Sequence, residues 1–336
     1  MDDLFPHERQ TRWVAKASRA PSAHNTQPAR WRFTGDGSIY LFEDRTRQLH
    51  VADPQGHDQD IALGAAFEGM CLAASEDGLK LAAADFNVES TDTVGSQYRV
   101  VARTRVQEQR DVDDLAQFID KRATYRGRFL ANAVDASTDI RLQVLPDTII
   151  VSEPSDIETI ADVHDVCASK LLQNDDYYAE LYNWLRFNPR HSGWDRDGLS
   201  AMAMSMGSLE KLFGPWFAHP LAFRAWRRLG LAKMLISEKP AVCSASALLI
   251  FVQEKQTTRF DAGRAFYRLW LTITGLGLVL CPMSALVDYP DGKRHIEEHW
   301  PAISEREIIN VFRVGRPPPS LPRPAARLPV SELILD

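Results

Sequence analysis

A short loop crowded with neutral polar side chains is the first place in this sequence where chemistry could occur. It lies between Pro21 and Pro28, and its polar members are Ser22, His24, Asn25, Thr26 and Gln27. The two prolines restrict the backbone, and the amide side chains can both donate and accept hydrogen bonds. Such a loop suits the edge of a flat heteroaromatic ligand that carries alternating carbonyl and N–H groups. A capped turn, in which these side chains bind only their own backbone, is supported equally well.

A second candidate site is the basic segment of residues 121–129. If this segment is extended, Arg122, Thr124 and Arg126 lie on one side, because alternate residues of an extended chain share a face. Two guanidinium groups beside a hydroxyl would hold a phosphate monoester through bidentate, charge-assisted hydrogen bonds. The alternative is a solvated basic turn. A second basic cluster in the C-terminal tail favours the phosphate: Arg316, Arg323 and Arg327.

Other motifs point to metal or nucleophilic chemistry but lack supporting residues. His295 and His299 fit the pattern H-x-x-E-H and would share one face of a helix, where they could bind Zn²⁺ with Glu298 as base. That site needs a third protein ligand, and Pro301 follows closely, so an exposed helix end is the better interpretation. Residues 208–211 match S-x-x-K with no companion motif. The sequence has no G-x-S-x-G, Walker or G-x-G-x-x-G pattern, so neither a Rossmann nor a P-loop domain is supported.

Composition limits the classes of protein to which the chain can belong. Of its 336 residues, 45% are hydrophobic and 25% are charged, as in a globular protein with a sizeable core. The net charge of −6 argues against a general nucleic-acid binder. No secretory signal is visible, no apolar stretch reaches the roughly 18 residues of a membrane span, and the four scattered cysteines fit reduced thiols. We therefore expect a cytoplasmic protein with neither a membrane nor a nucleic-acid partner.

The chain contains a weak internal repeat. Gly64 opens the sequence GAAF and Gly263 opens GRAF, 199 residues later, and each is followed by a leucine and a Gly-Leu pair at matching positions. Both copies predict an amphipathic helix that leads into a strand. Two unrelated helices rich in Ala and Gly would also produce such a match. The length of the agreement favours an internal duplication.

The remaining sequence predicts helices, strands and one long irregular insertion. Helices are expected over residues 8–19, 111–121 and 157–172, a hairpin over 31–42, and strands over 80–85, 98–106, 148–151 and 279–283. Residues 188–239 are rich in Met, Phe and Trp and are interrupted by Gly and Pro, which is typical of a lid or of a pair of core helices. The proline-rich tail is expected to run as an extended arm.

Four of these segments, taken in order, resemble the nitroreductase superfamily of FMN proteins. They are APSAHNTQP at 20–28, RATYR at 122–126, GLGLVLCPMSAL at 275–286 and RPAARLP at 323–329. More narrowly, the chain resembles the Acg-type branch, in which two nitroreductase-like halves lie in one polypeptide. The resemblance spans nearly the whole chain. It departs from the family at Ala29, where an aromatic residue is usual, and at Ala325, where many members carry a second cation that Arg323 would replace.

The resemblance implies an α+β fold with two pseudo-symmetric halves, each with a mostly antiparallel or mixed sheet flanked by helices. The halves would be residues 1–110 and 111–336, the second with a helical lid at about 188–240 and an extended C-terminal arm. In ordinary nitroreductases two subunits build each flavin site, and here the two halves would do so within one chain. Each motif occurs once, so one FMN per chain is expected.

The resemblance also assigns roles to residues. Those expected to hold the FMN phosphate and ribityl chain are Arg122, Thr124, Arg126, Arg323 and Arg327. Those expected to lie against the isoalloxazine are Pro21, Ser22, His24, Asn25 and Gln27. Those at the strand end expected to face flavin N5 are Pro282, Met283 and Ser284. No catalytic side chain and no metal ligand is implied.

The implied function is that of an FMN-dependent oxidoreductase. Hydride would pass from NAD(P)H through the flavin to a small organic substrate, or in the reverse direction. The main alternative is a non-catalytic protein of the Acg type that stores or sequesters FMN beneath a closed lid. Both functions need the same flavin contacts, and both are compatible with a monomer, as a pseudo-dimer, or with a homodimer.

Overall fold

Helices and strands are interspersed along the described part of the chain. The computed structural model describes residues 4–88, 95–108, 111–130, 145–231, 236–319 and 325–336. The helices are α1 (His7–Ala17), α2 (His57–Ser75), α3 (Pro154–Leu171), α4 (Asp175–Asn183), α5 (Ser208–Phe217), α6 (Pro220–Arg228), α7 (Lys239–Val242), α8 (Arg259–Gly275), α9 (Ala285–Asp288) and α10 (Pro290–His299). The strands are β1 (Ala29–Phe33), β2 (Ser38–Asp44), β3 (Leu79–Leu81), β4 (Tyr98–Glu108), β5 (Thr148–Val151), β6 (Leu185–Arg186), β7 (Leu199–Ser200), β8 (Ala247–Glu254), β9 (Val279–Pro282) and β10 (Arg306–Gly315).

Two four-stranded antiparallel sheets organise these elements into an α+β fold. Their strand orders are β1-β2-β4-β3 and β5-β8-β10-β9, and β6 and β7 form a separate short parallel pair. In each large sheet a long helix, α2 or α8, lies in the chain between the second and the third strand. The two sheets therefore share one order of strands and one helical connection. The expectation of antiparallel sheets flanked by helices is confirmed.

The two central helices are buried on most sides. α8 contributes Tyr267 and Leu271 to a cluster with α1, α2 and the first sheet, and Phe266 and Trp270 to a cluster with the second sheet. A helix enclosed in this way must be apolar around most of its circumference. A third cluster covers the other face of the second sheet, where α3 packs. Among the described helices, none has both the length and the apolar composition to cross a membrane.

Most elements predicted from periodicity are present. The first predicted helix is α1, the hairpin is β1 with β2, and the long strand that follows is β4. Two segments differ in detail. Residues 114–121 form 3₁₀ turns, with the Asp113 carboxylate accepting the N–H of Leu115. The strand expected over 80–85 is limited to β3, because the ladder breaks before Asp85 and resumes there only as an isolated bridge to Arg103.

Helices α2 and α8 approach each other closely where they cross at two glycines. A Cβ on Gly64 would lie 1.9 Å from the carbonyl oxygen of Phe260, and a Cβ on Gly263 would lie 2.1 Å from that of Ile61. These distances are far below van der Waals contact, so only glycine lets the backbones approach this closely. The contact is reciprocal, since Ile61 and Phe260 are themselves 199 residues apart. The two copies of the repeat thus meet through equivalent positions.

This crossing predicts that neither glycine tolerates a methyl group. We expect Gly64→Ala and Gly263→Ala each to lower the free energy of unfolding by about 1–3 kcal/mol or more, because overpacking forces the helices apart. Gly35→Ala is the matched control, since a Cβ there meets no atom within 4 Å. Urea denaturation measures the difference. Unchanged midpoints for both central variants would contradict the crossing.

Candidate functional site

A cavity of about 300 Å³ is lined by residues of both central helices, among them Asp58, Ile61, Phe266 and Trp270. Ten of the thirteen residues expected to bind FMN also line it: Pro21, Ser22, His24, Asn25, Arg122, Thr124, Arg126, Pro282, Ser284 and Arg327. The fold therefore brings the polar loop, the basic segment and the end of β9 around one space. The role of these residues in binding a cofactor stays a prediction.

The other three predicted residues lie elsewhere. Arg323 falls outside the described residues. Gln27, in the polar loop, is buried outside the cavity wall, and its Oε1 accepts the N–H of Leu328 at 2.8 Å. Met283 is fully buried in the cluster that α3 shares with the second sheet. Its side chain therefore belongs to the core.

The end of β9 has one backbone N–H, on a residue of the cavity wall, that lacks an acceptor among the described residues. Pro282 has no N–H, and the N–H of Met283 donates to the carbonyl of Val311 at 2.7 Å. The N–H of Ser284 has no acceptor among the described residues. Of the three residues predicted at this strand end, Ser284 is thus the one that can donate a backbone hydrogen bond to a ligand.

The polar loop is held in an unusual backbone conformation. His24, Asn25 and Gln27 have φ angles of 47°, 60° and 54°, in the left-handed region that residues with side chains disfavour. The Ser22 hydroxyl accepts the N–H of Gln27 at 3.0 Å, and Asn25 Nδ2 donates to the carbonyl of Ala326 at 3.0 Å. The two amides of the loop thus bind distant parts of the chain, which neither interpretation of the sequence anticipated. Strain at adjacent residues is typical of functional sites.

Arg327 of the C-terminal segment also forms hydrogen bonds with this loop and with neighbouring backbone. Its Nη1 donates to Asn25 Oδ1 at 2.9 Å, and its remaining bonds go to backbone carbonyls of Ser18, Arg19, Ala20, Ala325 and Ala326. Burial, together with the positive charges of Arg122 and Arg19, lowers the pKa of Arg327 well below its usual value. All three guanidinium nitrogens have acceptors in the protein. Arg327 therefore contributes position and positive charge rather than unused donors.

Arg122 is a cationic group in the cavity wall with buried nitrogens that lack a well-placed hydrogen-bond acceptor among the described residues. Its Nη2 donates to the carbonyl of Arg19 at 3.1 Å, while its buried Nε and Nη1 make no hydrogen bond of good geometry with the described residues. The buried hydroxyl of Tyr267 interacts with this guanidinium and also lacks a well-placed partner there. The guanidinium lies 4.7 Å from the ring centre of Trp270, whose buried indole N–H also has no acceptor there. Burial and the charges of Arg19 and Arg126 lower the pKa of Arg122 to about 10, so it stays protonated at neutral pH. Sequence analysis missed Trp270, because its place on an apolar helix face predicts core packing.

Buried hydrogen bonds fix the backbone that carries Arg122 and Arg126. Arg313 of β10 is fully buried, and its guanidinium donates to the carbonyls of Arg126 at 2.7 Å and Gly127 at 2.8 Å. Thr124 forms an isolated parallel bridge with Leu280 of β9. The extended conformation expected for the basic segment is thereby held against the second sheet.

One wall of the cavity comes from the long insertion. Gly198, Leu199 and Ala203 line the cavity, and Arg126 Nη1 donates to the carbonyl of Ala203 at 3.1 Å. This segment precedes α5 and α6 in the chain. The insertion thus reaches the cavity through its irregular first part.

Two carboxyl groups that the sequence did not indicate also line the cavity. Asp58 lies in the first turn of α2, and Asp288 is the last residue of α9. Desolvation and the charge of Asp53 raise the pKa of Asp58 to about 6, and desolvation and the charges of Asp58 and Asp53 raise the pKa of Asp288 to about 8. The pair therefore retains a proton at neutral pH. Only the fold brings these two residues together, so no sequence motif could have revealed them.

The histidine motif of α10 gains no further ligand. The rings of His295 and His299 are 6.4 Å apart, as expected for residues on one helix face. The described part of the chain contains no group of three or more side chains of the types that bind metal ions. The zinc interpretation therefore receives no support from the part of the fold that the structure describes.

Comparison with known sequences points to nitroreductases. No family model matches the chain. Over 190 residues the chain is 28% identical to Acg of Mycobacterium tuberculosis, provisionally named an NAD(P)H nitroreductase, and the match covers 51% of this chain and 52% of Acg. A second provisional nitroreductase of that organism, Rv3131, is 38% identical over 79 residues, which is 23% of each chain. The chain is similar to the nitroreductase superfamily. It spans about half the length of Acg in this match.

Two solved structures of FMN-binding proteins have low similarity to the chain. NfnB of Mycobacterium smegmatis, an FMN-dependent nitroreductase solved with NADPH, is 16% identical with a TM-score of 0.36, and the match covers 66% of this chain and 95% of NfnB. Iodotyrosine deiodinase bound to FMN and 3-iodo-L-tyrosine is 19% identical with a TM-score of 0.36, over 63% and 92% of the two chains.

The environment of His24 predicts a pH-dependent stability. Desolvation and the charge of Arg126 lower the pKa of His24 from 6.5 to about 4. The unfolded chain therefore binds a proton that the folded chain does not, and folded stability falls as the pH drops from about 6.5 to about 4. His24→Asn removes this titration, and Asn tolerates the left-handed φ. As the pH falls from about 6.5 to about 4, we expect the unfolding free energy of the variant to rise relative to that of wild type. At higher pH the difference between the two should be constant. A pH-independent difference would contradict the assignment.

Proposed function

We propose that the cavity binds FMN and that the chain is an oxidoreductase in which hydride passes between NAD(P)H and a small organic substrate. The observation that carries this proposal is the buried guanidinium of Arg122, with two nitrogens lacking acceptors beside the unpaired indole N–H of Trp270. Each unsatisfied buried donor destabilises the protein by about 1–3 kcal/mol. A bound anion with several acceptor oxygens would relieve that penalty.

The donor set fits a phosphate monoester. Arg122 and Arg126 supply charge, Thr124 supplies a hydroxyl, and all three line the cavity. Guanidinium groups suit phosphate oxygens because their N–H groups lie in one plane at matching spacing. Arg327 adds positive potential, although its donors are bound to protein carbonyls and Asn25. Phosphate would therefore be held mainly by the basic segment.

When bound, FMN supplies the two-electron hydride chemistry, and the protein positions and tunes it. The N–H of Ser284 is available to donate a hydrogen bond to the ring. The neutral imidazole of His24 lines the same cavity without adding charge. The Asp58 and Asp288 pair holds one proton at neutral pH on a carboxyl oxygen, so it can donate a hydrogen bond to a substrate.

An internal duplication would explain the architecture. Residues 1–110 and 111–336 would each form a nitroreductase-like half, the second with the insertion at about 188–240. The common strand order of the two sheets supports this division. So does the reciprocal approach of Gly64 and Gly263, at positions related by the repeat. The cavity would then correspond to a site that separate subunits build in ordinary nitroreductases, and FMN would bind once per chain.

A second candidate function, storage of FMN, is favoured by one contact. The hydrogen bond from Arg126 to the carbonyl of Ala203 holds part of the insertion against the cavity. If this wall stays in place, it would shield a bound flavin from NAD(P)H. Storage and catalysis would share the same phosphate contacts. They would differ only in whether NAD(P)H can reach the bound flavin.

The phosphate contacts predict loss of FMN when the basic segment is changed. We expect Arg122→Met with Arg126→Met to weaken FMN binding on the order of 100-fold or more, since each charge-assisted bond contributes about 1.5–3 kcal/mol. Arg128→Ala, at an exposed position of the same segment, is the matched control and should retain FMN. Visible absorbance of the purified proteins and titration by flavin fluorescence provide the measurement. Equal affinity of both variants would rule out this phosphate site.

Reduction kinetics separate the two candidate functions. As an oxidoreductase, the FMN-loaded protein should lose its visible flavin absorbance rapidly when mixed anaerobically with NADPH or NADH. Stopped-flow absorbance with both nucleotides measures the rate, and free FMN at the same concentration is the control. A flavin that stays oxidised in excess of either nucleotide would contradict the catalytic proposal and support storage.

A further inference from the structure

Exposed apolar side chains concentrate on one part of the surface. We call residues 208–228, which form α5, α6 and the short turn between them, the α5–α6 hairpin. Here Leu209, Leu212 and Trp216 are 72%, 65% and 78% exposed. Other exposed apolar residues of the hairpin and its flanks are Met202, Phe213, Phe217, Leu221, Leu229 and Leu231. Contiguous exposed apolar surface of this kind marks an interaction site in soluble proteins.

The apolar residues of α5 form a single outward stripe. Leu209, Leu212, Phe213 and Trp216 have the spacing i, i+3, i+4, i+7, which places them on one face of a helix. Gly214 is the buried residue of this helix. The face that would normally pack on a core is therefore the face that meets solvent.

The other side of the hairpin is firmly anchored. Phe223 stacks on Tyr178 of α4 with ring centres 4.0 Å apart, and the Tyr178 hydroxyl donates to the carbonyl of Ala218 at 2.9 Å. Asp175 at the start of α4 forms ion pairs with Arg224 and Arg227. These contacts attach the hairpin to the rest of the protein. The apolar stripe on α5 takes no part in them and stays exposed.

Charge around the stripe identifies the kind of partner. Residues 207–231 contain four basic side chains, Lys211, Arg224, Arg227 and Arg228, and one acidic side chain, Glu210, in a chain whose net charge is −6. Lys211, Arg224 and Arg228 are exposed. Two copies of this surface would place like charges together, which opposes self-association. Exposed Trp, Phe and Leu bordered by Lys and Arg are the composition of helices that lie in the interface of an anionic bilayer.

We propose that the α5–α6 hairpin docks on the surface of an anionic phospholipid membrane. The stripe of α5 would enter the boundary between headgroups and acyl chains. Lys211 and Arg228, which are exposed and take no part in the ion pairs with Asp175, would contact the phosphates. Such a surface contact needs no membrane-spanning helix. The expectation of no membrane partner came from the lack of an apolar stretch long enough to span a membrane, which does not bear on surface contact. The proposal is independent of FMN binding. Docking would hold the hairpin at a membrane surface. The cavity-wall residues 198–203 come just before this hairpin in the chain.

Co-sedimentation with vesicles tests the proposal. The full chain should sediment with vesicles that mix phosphatidylglycerol and phosphatidylcholine, and much less with phosphatidylcholine alone. Leu212→Glu with Trp216→Glu should lower the bound fraction at least about tenfold, because two apolar side chains that would enter the bilayer become carboxylates. Val166→Glu changes an exposed apolar residue on α3 and is the matched control that should bind like wild type. Circular dichroism confirms that each variant is folded.

A second variant keeps the test decisive if the first unfolds. Lys211→Glu with Arg228→Glu leaves the stripe intact and should reduce binding to the anionic vesicles selectively. Absence of binding to anionic vesicles, or equal binding to both lipid compositions, would overturn the proposal. So would a wild-type dimer in sedimentation velocity that Leu212→Glu with Trp216→Glu converts to a monomer, because a second copy would then be the occupant of the stripe.

Discussion

The close approach of α2 and α8 is the constraint on which the rest of the fold depends. Gly64 and Gly263 let the two backbones meet at distances that no side chain would permit. This contact joins two sheets of the same strand order into one body. It also sets the position of the cavity, because Ile61 of α2 and Trp270 of α8 are both in its wall. A change at the crossing would therefore alter the site as well as the core.

Within that frame, charge is distributed unevenly around the cavity. The basic segment supplies a guanidinium with unmet donors, while desolvation raises the pKa values of Asp58 and Asp288 in the same wall. Buried groups of this kind destabilise a protein unless a ligand or a partner satisfies them. A phosphorylated ligand would satisfy Arg122, and a polar substrate could accept the proton of the carboxyl pair. The presence of such destabilising groups in one cavity therefore supports a binding site.

Local sequence patterns were sufficient for the parts of the fold that depend on neighbouring residues. The sequence placed Arg122, Thr124 and Arg126 on one side only if their segment is extended, and Arg313 and β9 hold the segment in that conformation. The repeat of GxAF predicted two similar helices, although not that they touch. The polar loop lines the same cavity as the basic segment, but its amides bind the C-terminal segment, which no local pattern describes.

Residues that come together only through tertiary structure could not be predicted. Asp58 and Asp288 belong to different helices with no motif in common, and Trp270 has the apolar spacing of any core residue. The stripe of α5 was visible as apolar periodicity, yet periodicity normally indicates a buried face. Its exposure follows from α6 and α4 already packing on each other. Sequence periodicity identifies an apolar face without saying what covers it.

The most direct test of the central claim is to compare the affinities of FMN and riboflavin for the apo-protein by fluorescence titration, because the two ligands differ by the phosphate alone. If the unmet donors of Arg122 receive that phosphate, FMN should bind on the order of 100-fold more tightly than riboflavin, as two charge-assisted hydrogen bonds would produce. The difference should shrink as inorganic phosphate is added. Equal affinities for the two ligands would contradict the account.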